Sequence, residues 1–238
     1  MGKIKLKING KEVWAEKGEY ILDVARREGF EIPTFCFNHQ VSREGRCRLC
    51  MVEIRWNGRS RLVTSCLYPI REEIEVFTDT EKVRLVRKMV LELLLARNPE
   101  AEVVKKLARE YGIKESRFGA DDEFGKCILC GLCVRVCREV VGVEALGYSG
   151  RGVIKKVGPA FGEPSDVCIG CGACAFVCPT GHIKMEDVGD ERKIWGKIFK
   201  LERCSKCGKY FAPREQLKWI SSKTGVSYDN LRVCPDCR

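Results

Sequence analysis

The sequence predicts an α+β chain assembled from small modules, and two observations carry that prediction. Its sixteen cysteines fall without remainder into four quartets: Cys36, Cys47, Cys50, Cys66; Cys127, Cys130, Cys133, Cys137; Cys168, Cys171, Cys174, Cys178; and Cys204, Cys207, Cys234, Cys237. Four ligands are what a tetrahedral zinc or an iron–sulfur cluster requires. Between the first two quartets lies a cysteine-free stretch with apolar residues at helical spacing, and ahead of it are segments that alternate at the period of a strand. The expected layout is a cysteine module over residues 1–78, a helical connector over 79–126, a module on the two middle quartets over 127–190, and a C-terminal module over 191–238.

Disulfides are the rival explanation of so many cysteines. Disulfide scaffolds are typically short secreted chains. This chain has 238 residues, starts MGKIKLKING without the apolar run of a signal peptide, and pairs its cysteines in C-x-x-C words. Metal is the stronger reading. No run of about 18 apolar residues appears, so a soluble, cytoplasmic protein without a membrane span is expected. The formal net charge of +10 counts cysteines as neutral. If each thiolate quartet surrounds a +2 core, four sites contribute about −8 and the loaded protein sits near +2. Basic stretches at residues 43–48 and 55–61 then read as solvated faces, and no nucleic-acid partner is expected.

In the first module Ile4, Leu6 and Ile8 alternate with lysines, Asn9-Gly10 is a two-residue hairpin signal, and Val13 begins the return strand. Ile21, Leu22 and Ala25 then recur at helical spacing until Gly29, at a C-cap position. Cys36, Cys47 and Cys50 lie in the following loop, and Cys66 lies beyond a strand pair turned at Asn57-Gly58. The spacing C-x10-C-x2-C-x15-C has a longer first gap than the C-x4-C-x2-C of plant-type [2Fe-2S] ferredoxins. A structural zinc is the alternative occupant. The words GKEVWAEKGEYILDVARREGFEIPTFC and GRCRLCMVEI resemble the N-terminal [2Fe-2S] domain of the complex I large iron–sulfur subunit, the diaphorase iron–sulfur subunit of NAD-reducing hydrogenases, formate dehydrogenases and electron-bifurcating NAD(P)H oxidoreductases. That resemblance implies a β-grasp ferredoxin domain with one [2Fe-2S] cluster on Cys36, Cys47, Cys50 and Cys66.

The connector opens with Thr78 and Glu81 spaced as a capping box, and Val83, Val86, Val90, Leu93 and Leu94 share a helical face, with Leu85, Leu91 and Leu95 elsewhere on the wheel. Asn98-Pro99 predicts a break and a second helix with Asn98 as N-cap, striped by Val104, Leu107, Ala108 and Tyr111 and ended by Gly112. In complex I and its nearest relatives this stretch holds a His-and-three-Cys [4Fe-4S] site. LLLARNPEAEVVKKLAREYG contains neither residue type, so the resemblance implies a shorter electron-transfer subunit without that cluster.

Residues 127–137, CILCGLCVRVC, and residues 168–178, CIGCGACAFVC, repeat one C-x2-C-x2-C-x3-C word, followed by Pro179 only in the second copy. This word is similar to that of bacterial two-[4Fe-4S] ferredoxins, in which the fourth cysteine ligates the other cluster. The resemblance assigns Cys127, Cys130, Cys133 and Cys178 to a first [4Fe-4S] cluster, and Cys168, Cys171, Cys174 and Cys137 to a second. Gly131, Gly170 and Gly172 allow backbone N–H groups near the sulfurs. In the last quartet, two C-x2-C knuckles stand 26 residues apart, which reads as a zinc-ribbon-like module. CSKCGKY and CPDC also resemble rubredoxin, so a mononuclear iron stays open beside zinc; zinc is favoured because nothing but spacing argues for redox work.

No G-x-G-x-x-G follows a strand, no P-loop is present, and His39 and His182 have no evident nucleophile to serve. Both histidines are expected as loop residues beside clusters, and no catalytic residue is expected. The resemblance implies an electron-relay subunit of a cytoplasmic NAD(P)H-linked oxidoreductase complex, with no substrate site of its own. Its partners would be a flavin- and NAD(H)-binding subunit, a second redox subunit and soluble ferredoxin, with flavin-based bifurcating ferredoxin/NAD(P) transhydrogenases the best match. The alternative is the small iron–sulfur subunit of an NAD-linked hydrogenase or formate dehydrogenase; from another class, a metal-stabilised nucleic-acid-binding protein is the weaker reading.

Overall fold

Asn9 and Gly10 adopt the positive φ values, 49° and 85°, that a two-residue hairpin requires. They join β1 (Lys3–Ile8) to β2 (Lys11–Glu16) in antiparallel register, with Ile8 opposite Lys11. Helix α1 (Ile21–Arg27) buries Ile21, Leu22, Val24 and Ala25, and Gly29 follows it at φ 84°. Strands β3 (Met51–Trp56) and β4 (Arg59–Thr64) turn at Asn57-Gly58, again with positive φ at both residues. A short strand that the sequence pattern did not reveal, β5 (Glu75–Phe77), lies at the centre of the sheet, whose order is β2-β1-β5-β3-β4. It runs parallel to β1 and antiparallel to β3.

These elements belong to a computed structural model that describes residues 2–119 and 126–238. The chain parts into two units, Met1–Gly131 and Leu132–Arg238. In the first, Leu22, Ile54, Ile70 and Val76 form a core that also encloses Cys50 and Cys66. Each fully buried aliphatic side chain of this kind contributes about 1.5–3 kcal/mol.

The connector differs from its sequence reading in three respects. Thr80, not Thr78, caps α2 (Glu81–Arg97): its hydroxyl accepts from the Val83 N–H at 3.3 Å. Thr78 is buried at the end of β5, where its hydroxyl accepts from Asn9 Nδ2 at 2.8 Å and its N–H donates to Asn9 Oδ1 at 2.9 Å. The inward face is Val83, Arg87, Leu91 and Leu95, whereas Leu93, from the expected stripe, is 51% exposed. Arg87 explains that rotation. Its guanidinium donates to Leu49 O at 3.0 Å, Met51 O at 2.7 Å and Tyr111 Oη at 3.0 Å, so a cation sits where an apolar count expects none. Thirdly, α3 (Glu102–Glu110) starts after Ala101. Asn98 instead ends α2, its N–H donating to Leu94 O at 2.9 Å. Val104 and Ala108 are buried and Gly112 closes the helix at φ 73°. Residues 120–125 of the expected connector lie outside the described residues.

The second unit begins with α4 (Leu132–Arg135), continued by a π-type turn over Val136–Val141. Between the two cysteine words the chain folds back as a small hairpin, β6 (Gly147–Ser149) with β7 (Lys156–Gly158). The second cysteine word carries α5 (Ala173–Phe176). Strands β8 (Met185–Val188), β9 (Glu191–Ile194), β10 (Lys197–Arg203) and β11 (Tyr210–Pro213) then form a meander in the order β11-β10-β9-β8. Phe199 of β10 is fully buried with Ile194, Ile183, Cys137 and Cys174. Beyond the meander, α6 (Arg214–Thr224) and α7 (Tyr228–Leu231) meet β11 in a small separate core of Ala212, Leu217 and Leu231.

Candidate metal centres

The loop between α1 and β3 carries Cys36, Cys47 and Cys50, and Cys66 lies in the turn that follows β4. Cys36, Cys47, Cys50 and Cys66 are 2%, 5%, 0% and 2% exposed. Cys50 and Cys66 stand with sulfurs 3.3 Å apart, and the Cys47 N–H reaches Cys36 Sγ at 3.4 Å, so the quartet is made of two close pairs. The hydrogen bond shared with the Cys66 thiol holds Cys50 down at about 7. The same contact, with burial, pushes Cys66 far up, and Cys36 together with burial does so to Cys47. Four buried thiols that cannot all ionise alone are a donor set suited to a cationic metal core, which takes them as thiolates. Arg43 backs the loop: one guanidinium nitrogen donates to Cys66 O at 3.3 Å, another to Asp23 Oδ2 at 2.5 Å, and the group stacks over Tyr20 and Phe37. Arg87 fixes the carbonyls on either side of Cys50.

In the second unit Cys137, the fourth cysteine of the first word, shares a core with Cys133 of its own word and with Cys168, Cys174 and Cys178 of the second. Burial pushes the Cys137 thiol up, and Cys171 and Cys168 lie near enough to add to that push. Burial likewise raises Cys174 to about 11, with Cys171, Cys137 and Cys168 all contributing. Gly170 and Gly172 shape the cradle. Both have left-handed φ, and a Cβ on Gly170 would stand 2.7 Å from the Phe199 ring. Cys133 and Cys178 pack in the same core. Burial acts against ionising Cys178, but the N–H groups of Ile183, Thr180 and His182 and the Thr180 hydroxyl outweigh it and hold the thiol low. Cys127 and Cys130 belong to the first unit. Of the two histidines, His39 meets Phe37 edge-on at 4.7 Å, and His182 is held low by burial and by Lys184.

The last quartet is gathered most tightly. The sulfurs of Cys204, Cys207, Cys234 and Cys237 all lie within 4.8 Å of one another, which fits one tetrahedral ion. N–H groups of Cys207 and Cys234 point at Cys204 Sγ and bring that thiol down to about 6, while Cys237, among its neighbours, rises to about 12. Cys207 is exposed.

Sequence reasoning missed the residues that surround the second word. Trp195 Nε1 donates to Cys174 Sγ at 3.4 Å, Lys197 Nζ to Cys168 O at 3.3 Å, and Arg192 Nη1 to Gly170 O at 3.1 Å. Only the alternation of a strand pair was available to point at them. Among the described residues no helix is long and apolar enough to cross a membrane.

Known proteins are consistent with this chemistry. A family described as a 2Fe-2S iron-sulfur cluster binding domain matches residues 2–81, and one described as a 4Fe-4S dicluster domain matches residues 167–209. The second match takes in Cys204 and Cys207, which the geometry instead groups with Cys234 and Cys237. The NADPH-Fe(3+) oxidoreductase subunit alpha of Geobacter sulfurreducens is 33% identical, over 76% of this chain and 24% of its own length. The NADP-reducing hydrogenase subunit HndD of Solidesulfovibrio fructosivorans is 31% identical over 77% and 36%, and the NADH-ubiquinone oxidoreductase 75 kDa subunit of Reclinomonas americana is 33% identical over 94% and 38%. The chain thus spans between about a quarter and two fifths of the length of these relatives. A chain from the crystal structure of an NAD+-reducing [NiFe]-hydrogenase in the H2-reduced state shares the fold, with a TM-score of 0.64, 23% identity, and coverage of 97% of this chain and 99% of that one.

Proposed function

We propose that this relative of the iron–sulfur subunits of NAD(P)H-linked oxidoreductases is an electron relay within such a complex. It passes single electrons between a flavin subunit that handles NAD(P)H and a second redox subunit. What supports the reading is the match of residues 2–81 and 167–209 to iron–sulfur cluster domains, with the first quartet buried and Cys137 sharing a core with Cys174 and Cys168. In this reading Cys36, Cys47, Cys50 and Cys66 hold a [2Fe-2S] cluster on a β-grasp sheet, and Cys168, Cys171, Cys174 and Cys137 hold a [4Fe-4S] cluster. Cys127, Cys130, Cys133 and Cys178 hold the other [4Fe-4S] cluster, an assignment that rests on spacing. Cys204, Cys207, Cys234 and Cys237 hold zinc in a ribbon. Such clusters, when bound, supply one-electron carriers, while the chain sets their spacing, excludes water and aims N–H donors at the sulfurs. Bifurcation with ferredoxin is the favoured setting, and a cytoplasmic hydrogenase or formate dehydrogenase the second.

Anaerobically purified protein should contain about ten irons and about one zinc per chain. Four irons or fewer would end the three-cluster reading. Material isolated from its own cells should bring a flavoprotein with it, and NAD(P)H added to that complex should bleach the clusters; an isolate that NAD(P)H leaves oxidised argues against the relay.

The crossed ligation has its own test. Cys137→Ala should lose about four irons, all from the cluster of Cys168, Cys171 and Cys174. Adding Cys168→Ala should then cost no second cluster. Loss of two clusters in the double variant would show that each word holds its own.

A further inference from the structure

The turn between β9 and β10 departs from a pattern set elsewhere in the chain. Among the described residues, three two-residue turns that join paired strands place both central residues at positive φ: Asn9 and Gly10 at 49° and 85°, Asn57 and Gly58 at 47° and 73°, and Trp195 and Gly196 at 53° and 75°. Asn-Gly is the pair such turns favour, because a short polar side chain tolerates the left-handed region. A bulky aromatic there is uncommon; Phe161, at φ 58° before Gly162, shares the conformation but is 98% exposed, so Trp195 is set apart by what it touches.

The surroundings of Trp195 are the second cysteine word. Its indole Nε1–H donates to Cys174 Sγ at 3.4 Å, and its ring packs on the core that contains Cys137 and Cys174. The strands beside it grip the same loop. Lys197 Nζ donates to the carbonyls of Ser165, Asp166 and Cys168 at 3.0, 3.1 and 3.3 Å, and Arg192 Nη1 donates to Gly170 O at 3.1 Å. These contacts fix the backbone around the ligand word. The indole alone reaches a ligand sulfur from this hairpin among the described contacts.

The geometry points to Trp195 as the residue that raises the reduction potential of the centre ligated by Cys174, with the strained turn serving to aim the indole N–H at that sulfur. The inference rests on the assignment of Cys137, Cys168, Cys171 and Cys174 to one [4Fe-4S] cluster. When a cluster gains an electron its ligand sulfurs become more negative, so a donor aimed at one of them stabilises the reduced form more than the oxidised form. An Asn at this position would suit the turn and leave that sulfur without its donor.

The test is an EPR-monitored redox titration of the holoprotein, native against Trp195→Phe. Phenylalanine keeps an aromatic ring in the core and removes the N–H. At a fixed ambient potential the reduced-to-oxidised ratio of the Cys174 cluster should fall about tenfold, a shift of about 59 mV for one electron. The other two clusters should titrate unchanged, and the iron content should hold. A second readout needs no substitution to fold. Native protein carrying nitrogen-15 in the indole of tryptophan should show a nitrogen hyperfine coupling to the reduced Cys174 cluster in pulsed EPR, and Trp14→Phe should retain it. Absence of that coupling in the native protein, or an unchanged potential in an iron-replete Trp195→Phe protein, overturns the inference. If Cys174→Ala leaves all three clusters in place, the ligand assignment itself fails and takes the inference with it.

Discussion

The cysteines of the N-terminal sheet, which stand in two close pairs, and the quartet gathered at the C-terminal end are held by different forces. Cys36, Cys47, Cys50 and Cys66 are buried beside a core that runs from Leu6 through Ile54 to Val76. Their loop is tied down from outside by Arg43 and Arg87, through carbonyls rather than sulfurs. Beside Cys204, Cys207, Cys234 and Cys237 the core cluster is only Ala212, Leu217 and Leu231, and although Cys204 and Cys234 are buried, Cys207 is exposed. The first site is a place made by a fold. The second has a smaller core, and on the proposed zinc reading it would draw its folding energy from the metal, as small metal modules commonly do.

Paired substitutions should expose the difference most strongly. Cys204→Ala should release residues from about Leu201 onward, because binding free energy at a structural zinc site, about 10–16 kcal/mol in zinc-finger peptides, is largely folding free energy. Limited proteolysis or hydrogen exchange should then report loss of protection in α6 and α7 while the three cluster signals persist. Cys36→Ala should remove the [2Fe-2S] signal and leave β1 to β5 protected. A C-terminal segment that stays protected in Cys204→Ala would erase the contrast, as would a high-spin ferric signal at full occupancy, which would make the last site an iron relay.

How much of this contrast could be seen in the sequence depends on the range of the forces involved. Asn9-Gly10, Asn57-Gly58 and the cysteine words declare themselves through local chemistry, and the structure places both turns, sets Cys50 beside Cys66 and gathers the last quartet. Strand β5 is only Glu75–Phe77, too short to carry a period, and its place comes from pairing with β1 and β3. The expected boundary at 190/191 falls at the turn of the β8–β9 hairpin, whose strands pair through Val188 and Glu191. A boundary drawn from cysteine spacing has no access to that pairing. Trp195 and Arg87 were missed for a shared reason: a polarity pattern assigns an aromatic in a turn, or a cation on a helix, to solvent. Their partners, Cys174 Sγ and the carbonyls of Leu49 and Met51, are distant in sequence.

Arg87 offers the finer measure of how far the first site depends on protein alone. Its Nε and Nη2 satisfy Leu49 O and Met51 O, and Nη1 donates to the Tyr111 hydroxyl of the segment after α3. Arg87→Ala leaves two carbonyls flanking Cys50 without their donor, each at about 1–3 kcal/mol. The first thermal transition should fall by about 5 °C or more, with the [2Fe-2S] signal broadened as the loop loosens. Tyr111→Phe keeps the ring and both carbonyl bonds and gives up one hydrogen bond of about 1 kcal/mol, so the transition should move by about 2–4 °C with no change in the EPR line shape. The order of the two effects carries the argument. If Tyr111→Phe cost as much as Arg87→Ala, α3 rather than the carbonyl clamp would be the support of the loop. If neither moved the transition, the cluster itself would be holding the site together, and the first quartet would resemble the last.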